Sequence, residues 1–357
     1  MTDFFVLRCF ALGVCLSYVA LAGCGGTAQV PQLFSGGAAQ TVPLGRQDFN
    51  RGKSWMSSSW LNELHNPHHK KQKFLYLGAS GNGHHPVDIL DYGTGALIGQ
   101  VYWGLYGGSN LCSDRNGNVY AASWDSGGFE IQAGTTKVIK TFDMQGNPDG
   151  CSVSKSGDVA FSILDNGHEG CKGSGVEVFP SGDRHGTFHP GPESCNMPAA
   201  YDDKGNLFIS DSKLWELPAG GSSWMPLRSN RSISSGPLEW DGKYLALLEP
   251  YRLCETQKKP KRGCIDQIAV SGNRYKVVNR IQVLDSSCRV ELDSGWAENA
   301  EKPNGQTTSP ATEIVAVNDG CYPLPIRVWS YPAGGAPKRT ISIRHDAAAG
   351  AATIVTI

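Results

Sequence analysis

From residue 73 onward one phrase recurs: a short apolar strand, a glycine turn and a second strand. Its six copies are VDILDYGTGALIGQV (87–101), FEIQAGTTKVIKTF (129–142), VEVFPSGDRHGTF (176–188), LWELPAGGSSWMPL (214–227), IDQIAVSGNRYKVVNRI (265–281) and IRVWSYPAGGAPKRTISI (326–343). Apolar positions that alternate on both sides of a glycine turn are a β-hairpin pattern. The expected turn glycines are Gly93, Gly134, Gly182, Gly220, Gly272 and Gly334, at intervals of 41, 48, 38, 52 and 62 residues. A second phrase precedes the first in several units, again strand, polar turn with glycine, strand: LCSDRNGNVYAASW (111–124), CSVSKSGDVAFSIL (151–164), AAYDDKGNLFISDS (199–212) and the tighter PLEWDGKYLALLEP (237–250). Asn-Gly, Ser-Gly and Lys-Gly supply the positive-φ residue that such turns need.

Each unit thus predicts four strands in about 40 residues, the period of a β-propeller, where neighbouring sheets bury one another's faces. Six copies predict an all-β fold: a six-bladed β-propeller of four-stranded antiparallel sheets. The first unit has KFLYLGA (73–79) but no innermost strand before it, and the chain ends in the apolar ATIVTI (352–357). The C-terminal strand is therefore expected to fill that inner place and close the ring, which removes open sheet edges. Composition agrees, since 44 Gly and 20 Pro with only 18% charged residues disfavour long surface helices. A content of 40% apolar and 9% aromatic residues supports a sizeable core and excludes disorder throughout. With 32 basic and 33 acidic side chains, nucleic acid is not an expected partner.

Residues 1–23 read as a signal peptide, with Arg8 the only side-chain cation and an apolar run from Cys9 to Ala22 that is too short to span a bilayer. Leu21-Ala22-Gly23-Cys24 resembles the lipobox of bacterial lipoproteins. That resemblance implies cleavage before Cys24, lipidation of Cys24 by acyl chains such as palmitate, and a membrane partner reached through those chains. Several buried chains give durable anchoring at ~0.8 kcal/mol per methylene. Gly25 stands where inner-membrane retention favours Asp, so a cell-envelope location at the outer membrane or cell surface is expected over the inner membrane. Residues 24–60, rich in Gly, Ser, Ala and Gln, suit a flexible tether, and 61–357 the propeller. Trp55, Met56 and Trp60 interrupt the tether, either as a strap docked on the domain or as stray apolar residues.

Of 11 Cys, two leave with the leader and one is the lipid acceptor, leaving eight, an even number in a chain bound for an oxidising space. Insertions at 165–175, 249–264 and about 286–310 are expected to crowd one rim, because loops joining second to third and fourth to first strands emerge on one face. The eight cysteines fall beside the same loops. Blade adjacency suggests Cys254 with Cys264, Cys288 with Cys321, Cys171 with Cys195, and Cys112 with Cys151, although eight cysteines allow 105 connectivities.

Asn110, Asp149, Glu193 and Asn196 sit at or near inner-strand entries, where oxygen ligands can hold Ca2+ or another hard cation, Zn2+ being a second option. Turn capping is the commoner role of such side chains. Five of nine histidines lie near the first blade (His65, His68, His69, His84, His85) and three in the third (His168, His185, His189), a set open either to transition-metal binding or to solvated loops. Lys258, Lys259, Lys261 and Arg262 make a basic loop between Cys254 and Cys264, suited to anionic headgroups, polysaccharide or an acidic partner, or to plain solvation. No G-x-S-x-G, H-E-x-x-H, Walker or dinucleotide motif is present.

Phrases such as Gly117-Asn118-Val119-Tyr120 and Tyr331-Pro332-Ala333-Gly334-Gly335 make residues 73–357 similar to NHL-type propellers of exported bacterial lipoproteins. The chain also distantly resembles gluconolactonase-type propellers of the senescence-marker kind, whose Glu, Asn, Asn, Asp metal set does not map one to one here. The propeller architecture and the missing catalytic motifs lead to the expectation of a non-catalytic binding or scaffold module without a cofactor, engaging a protein or glycan on the insertion-bearing face. The alternative they leave open is a metal-dependent lactonase-like hydrolase, because the fold alone hosts both.

Overall fold

The computed structural model describes residues 53–58, 72–79, 86–102, 109–123, 127–164, 173–192, 199–229, 231–233, 236–249, 262–284, 313–317, 325–342 and 349–356. Their strands form six antiparallel sheets in a propeller arrangement. The first sheet contains β1 (Trp55–Met56), β2 (Lys73–Ala79), β3 (Val87–Asp91) and β4 (Leu97–Val101). The second runs through β5 (Ser109–Ser113), β6 (Val119–Ser123), β7 (Gly127–Ile131) and β8 (Val138–Phe142). The third comprises β9 (Asn147–Val153), β10 (Val159–Leu164), β11 (Gly175–Phe179) and β12 (Thr187–Pro190). The fourth has β13 (Ala199–Tyr201), β14 (Leu207–Asp211), β15 (Lys213–Leu217) and β16 (Met225–Pro226). In the fifth, β17 (Leu238–Trp240) and β18 (Leu245–Glu249) precede a long hairpin of β19 (Arg262–Ser271) and β20 (Arg274–Leu284). The sixth has three strands among the described residues, β21 (Glu313–Val317), β22 (Pro325–Ser330) and β23 (Arg339–Ser342).

The last strand, β24 (Ala349–Thr356), joins the first sheet beside β2 rather than its sequence neighbours. It pairs antiparallel along β2, Lys73 opposite Thr356 and Leu77 opposite Ala352, so the chain's end completes the sheet of its beginning as expected. At the other edge Trp55 and Met56 pair with Gln100 and Gly99. For Trp55 and Met56 the docked strap is the reading found, Trp60 lying outside the described residues, and the first sheet thereby takes a strand from upstream of residue 61.

The second strand of each unit is mostly apolar on both faces, because both are covered. Along β2, Phe74 and Tyr76 pack with Ile89, Val119 and Phe129 of the first and second sheets. Leu75 and Leu77 point the other way, onto Ile326 and Val328 of the sixth. On β18, Leu245 and Leu247 meet Phe208 and Leu214, while Ala246 and Leu248 meet Val283 and Trp329. A period of two with no polar face is what a strand sandwiched between sheets requires. Six apolar clusters result, one in each space between neighbouring sheets. Each large side chain so covered contributes roughly 1.5–3 kcal/mol relative to exposure.

The polar turns that follow the inner strands are built alike. Asp114 Oδ1 accepts from the amides of Asn116 and Asn118, and Asp202 Oδ1 from those of Lys204 and Asn206. The Asn at the turn's end then uses its own Oδ1 to hold the next hairpin, Asn118 on Ala133 N and Asn206 on Ala219 N, both at 3.1 Å. Five of the expected hairpin glycines, from Gly134 to Gly334, have positive φ. In the first hairpin the left-handed residue is Gly95 (φ 74°) and not Gly93, because Asp91 Oδ1 caps Thr94 N and moves the turn two residues on.

Candidate functional site at the inner-strand entries

Asn110 on β5 and Asp149 on β9 lie on neighbouring inner strands, and the structure brings them together. The Asn110 side-chain amide donates to the Asp149 backbone carbonyl. That nitrogen is committed to tying two blades. Asp149 itself sits in a β-bulge: Gly150 pairs with Ser162 and Pro148 with Ile163, which leaves Asp149 without an opposite residue. A bulge re-aims its side chain and is over-represented beside functional sites. Burial pushes the Asp149 carboxyl up to about 6, with no hydrogen bond or charge to that carboxyl among the described residues.

One step along the same strands, Cys112 and Cys151 form the disulfide expected from blade adjacency, with Cα atoms 5.7 Å apart. It joins the inner strands of the second and third sheets beside the Asn110–Asp149 contact. Cys264 on β19 is also disulfide-bonded, its partner lying outside the described residues. Inner strands are linked elsewhere by single hydroxyls. Ser113 Oγ and Thr353 Oγ1 are 3.0 Å apart across the first and second sheets, and Ser152 Oγ accepts from Tyr201 N at 3.1 Å across the third and fourth.

Glu193, Asn196, Cys24, Cys171, Cys195, Cys254, Cys288, Cys321, Lys258, Lys259 and Lys261 lie outside the described residues, as do the segments 165–172, 250–261 and 285–312. Arg262 opens β19. Among the described residues no group of three or more His, Cys, Asp or Glu converges as a metal site. The third-blade histidines that are described do different things: His185 Nδ1 faces Asp143 Oδ2 at 3.4 Å, and His189 lies on β12.

Two features were missed by sequence reasoning. The first is a buried polar network between the fifth and sixth sheets. Asp241 Oδ2 accepts from Tyr331 OH at 2.5 Å and Gln267 Nε2 at 2.8 Å, and Asn279 Nδ2 donates to Gln267 Oε1. It is self-satisfied and structural. The second is a cleft of about 260 Å³ between the third and fourth sheets, on the face opposite the inner-strand entries. Val178, Leu207, Leu217 and Pro218 form its apolar wall, and Ser156, Asp158, His189, Tyr201 and Lys204 its polar one. The only sequence trace of either was the pair of polar turns that supply Ser156, Asp158 and Lys204.

No family model matches the chain, and no curated protein matches it. Among solved structures it is similar to TolB from Acinetobacter baumannii, with a TM-score of 0.52 at 14% identity over 80% of this chain and 66% of that one. The chain therefore spans just under two thirds of that TolB's length. It is also similar to a functionally unknown protein from Desulfotomaculum acetoxidans DSM 771, with a TM-score of 0.47 at 12% identity over 79% of this chain and 98% of the other. The TolB likeness concerns the β-propeller fold.

Proposed function

We propose that this chain is an exported, lipid-anchored six-bladed propeller of NHL-like kind that serves as a non-catalytic binding or scaffold module. The observation that carries the reading is the use made of the inner-strand entries. The Asn110 side-chain nitrogen ties its strand to a neighbouring backbone, and the adjacent strands are stapled by Cys112–Cys151. Such a frame holds loops in fixed positions without needing to move, and rigid scaffolds that present variable loops are the common design of binding proteins. Its partner is a protein or glycan met on the insertion-bearing face, where the Lys258, Lys259, Lys261 and Arg262 loop favours acidic groups. Cys24 supplies the membrane anchor, at the outer membrane or cell surface.

The competing reading is a metal-dependent hydrolase of the lactonase type, and Asp149 is the one residue that favours it, since a re-aimed carboxyl with raised proton affinity suits acid–base work near neutral pH. Elemental analysis and a lactone-hydrolysis screen on the full chain separate the two. Stoichiometric Ca2+ or Zn2+ with turnover abolished by Asp149→Asn overturns the binding reading, whereas neither metal nor turnover supports it. Metabolic labelling with palmitate, lost in Cys24→Ala together with membrane association, tests the anchor.

A further inference from the structure

The space between the third and fourth sheets leaves the cleft described above. Its apolar wall comes from both sheets, Val178 on one and Leu207 and Leu217 on the other. Its polar groups are mixed in kind. Asp158 is already satisfied, accepting from Ser156 Oγ at 2.7 Å and Ser181 N at 2.9 Å. Lys204 projects from an exposed turn and makes no ion pair among the described residues. Tyr201 is buried in the apolar cluster, and its hydroxyl has no hydrogen-bond partner among the described residues; burial holds the phenol protonated as a donor. His189 stays neutral, because burial lowers its pKa, and one ring position engages the Ser222 backbone.

The charges of the lining, Asp158 and Lys204, cancel, so nothing in it calls for an ionic ligand. The free groups are hydrogen-bond donors set against an apolar wall. Trp215 and Trp224, which pack on the same cluster outside the lining, carry indole N–H groups without partners among the described residues. At about 260 Å³ the space is below the ~300–1,000 Å³ of drug-sized sites, which suits one ring rather than a chain.

We infer that this cleft is a binding site for a small neutral polyol, a single sugar ring, whose hydroxyl oxygens accept from Lys204 and Tyr201 while its C–H face lies on Val178, Leu207 and Leu217. The site is separate from the insertion-bearing face and independent of the function proposed for it.

The test is equilibrium dialysis of the detergent-solubilised full chain against radiolabelled glucose, galactose and N-acetylglucosamine, with radiolabelled benzoate in parallel. Saturable binding of at least one sugar is expected, weakened about tenfold by Tyr201→Phe and lost in Ala219→Trp, which plugs the mouth from an exposed position. Unchanged melting of Ala219→Trp shows that any loss is not unfolding. Lack of saturable sugar binding, sugar binding unaffected by Ala219→Trp, or binding of benzoate alone overturns the inference.

Discussion

The third sheet has two faces that are held in opposite ways. Toward the second sheet it is locked. Phe161 and Phe179 interlock with Phe142 at centroid distances of 5.2 and 5.0 Å, the Cys112–Cys151 disulfide ties the inner strands, and the Asp143 and His185 backbones bridge the outer ones. Buried Glu177 adds a carboxylate bond to Gln145 N at 3.0 Å. Toward the fourth sheet small and aliphatic residues such as Ala160 and Val176 meet Tyr201, Trp215 and Trp224, with one serine bond inside and His189 against Ser222 outside. Among the described residues no backbone bridge joins these two sheets, although bridges join the second to the third, the fourth to the fifth and the fifth to the sixth. The lesson is a division of labour: interlocked rings, a covalent tie and a backbone bridge lock one face, whereas the other, held by side-chain bonds, leaves a space a ligand can enter.

The sharpest way to break this contrast is to truncate one residue on each face. Phe161→Ala removes a fully buried ring from the locked face and is expected to cost about 4 kcal/mol in urea unfolding, while Val178→Ala on the cleft wall, only partly buried, is expected to cost under about 1 kcal/mol. Equal losses would mean that the two faces are not energetically distinct. Next in size is the disulfide, which closes a separation of 39 residues. Replacing Cys112 and Cys151 together by Ala is expected to cost about 3 kcal/mol, measured as the shift of the urea midpoint in oxidised protein. A shift absent in the double variant but present on adding reductant to wild type would place the stabilisation in the Cys264 disulfide instead.

Asp149 offers an effect of the opposite sign. Its folded pKa of about 6 stands above the unfolded value, so the folded state holds the proton more tightly, and that advantage is lost as pH rises through about 6. Above that pH a desolvated carboxylate weighs on the fold. Asp149→Asn is therefore expected to raise stability at pH 7.5 by on the order of 1–2 kcal/mol and to change little at about pH 3.5, below the unfolded value. Thermal melts at the two pH values check this, and destabilisation at pH 7.5 would show that the anion has a partner in the folded protein.

What was legible in the sequence follows from the physics that wrote each part of it. Hairpins and polar turns are local: alternation, Gly-bearing turns and Asp-x-x-Gly-Asn phrases act within a dozen residues, so they could be read without coordinates. Ring closure was legible for a different reason, since an unmatched inner strand at one end and a spare apolar strand at the other have one economical solution. The shift from Gly93 to Gly95 was not, because it depends on which of two nearby glycines the Asp91 carboxylate leaves free. Nor was the Asn110 contact, whose partner is a carbonyl 39 residues on, exposed by a bulge that no pattern announces. The cleft was least legible of all. Its wall is shared between Val178 of one sheet and Leu207 and Leu217 of the next, and none of them announces it alone.

The smallest expected effect belongs to His189, and it probes the open face directly. Burial lowers its pKa, so the neutral ring is the form that fits between β12 and Ser222. A His whose folded pKa lies below its unfolded value gains a proton more readily when unfolded, so stability falls as pH drops below about 6.5. His189→Gln keeps a side chain able to donate to the Ser222 backbone but does not titrate there. Its melting temperature is expected to fall less than wild type's between pH 7 and pH 5, with near equality at pH 7. Asp149, on the locked face, titrates in both proteins and so cancels from the comparison. A His189→Gln slope identical to wild type's would mean that protonation is accommodated in place on the open face.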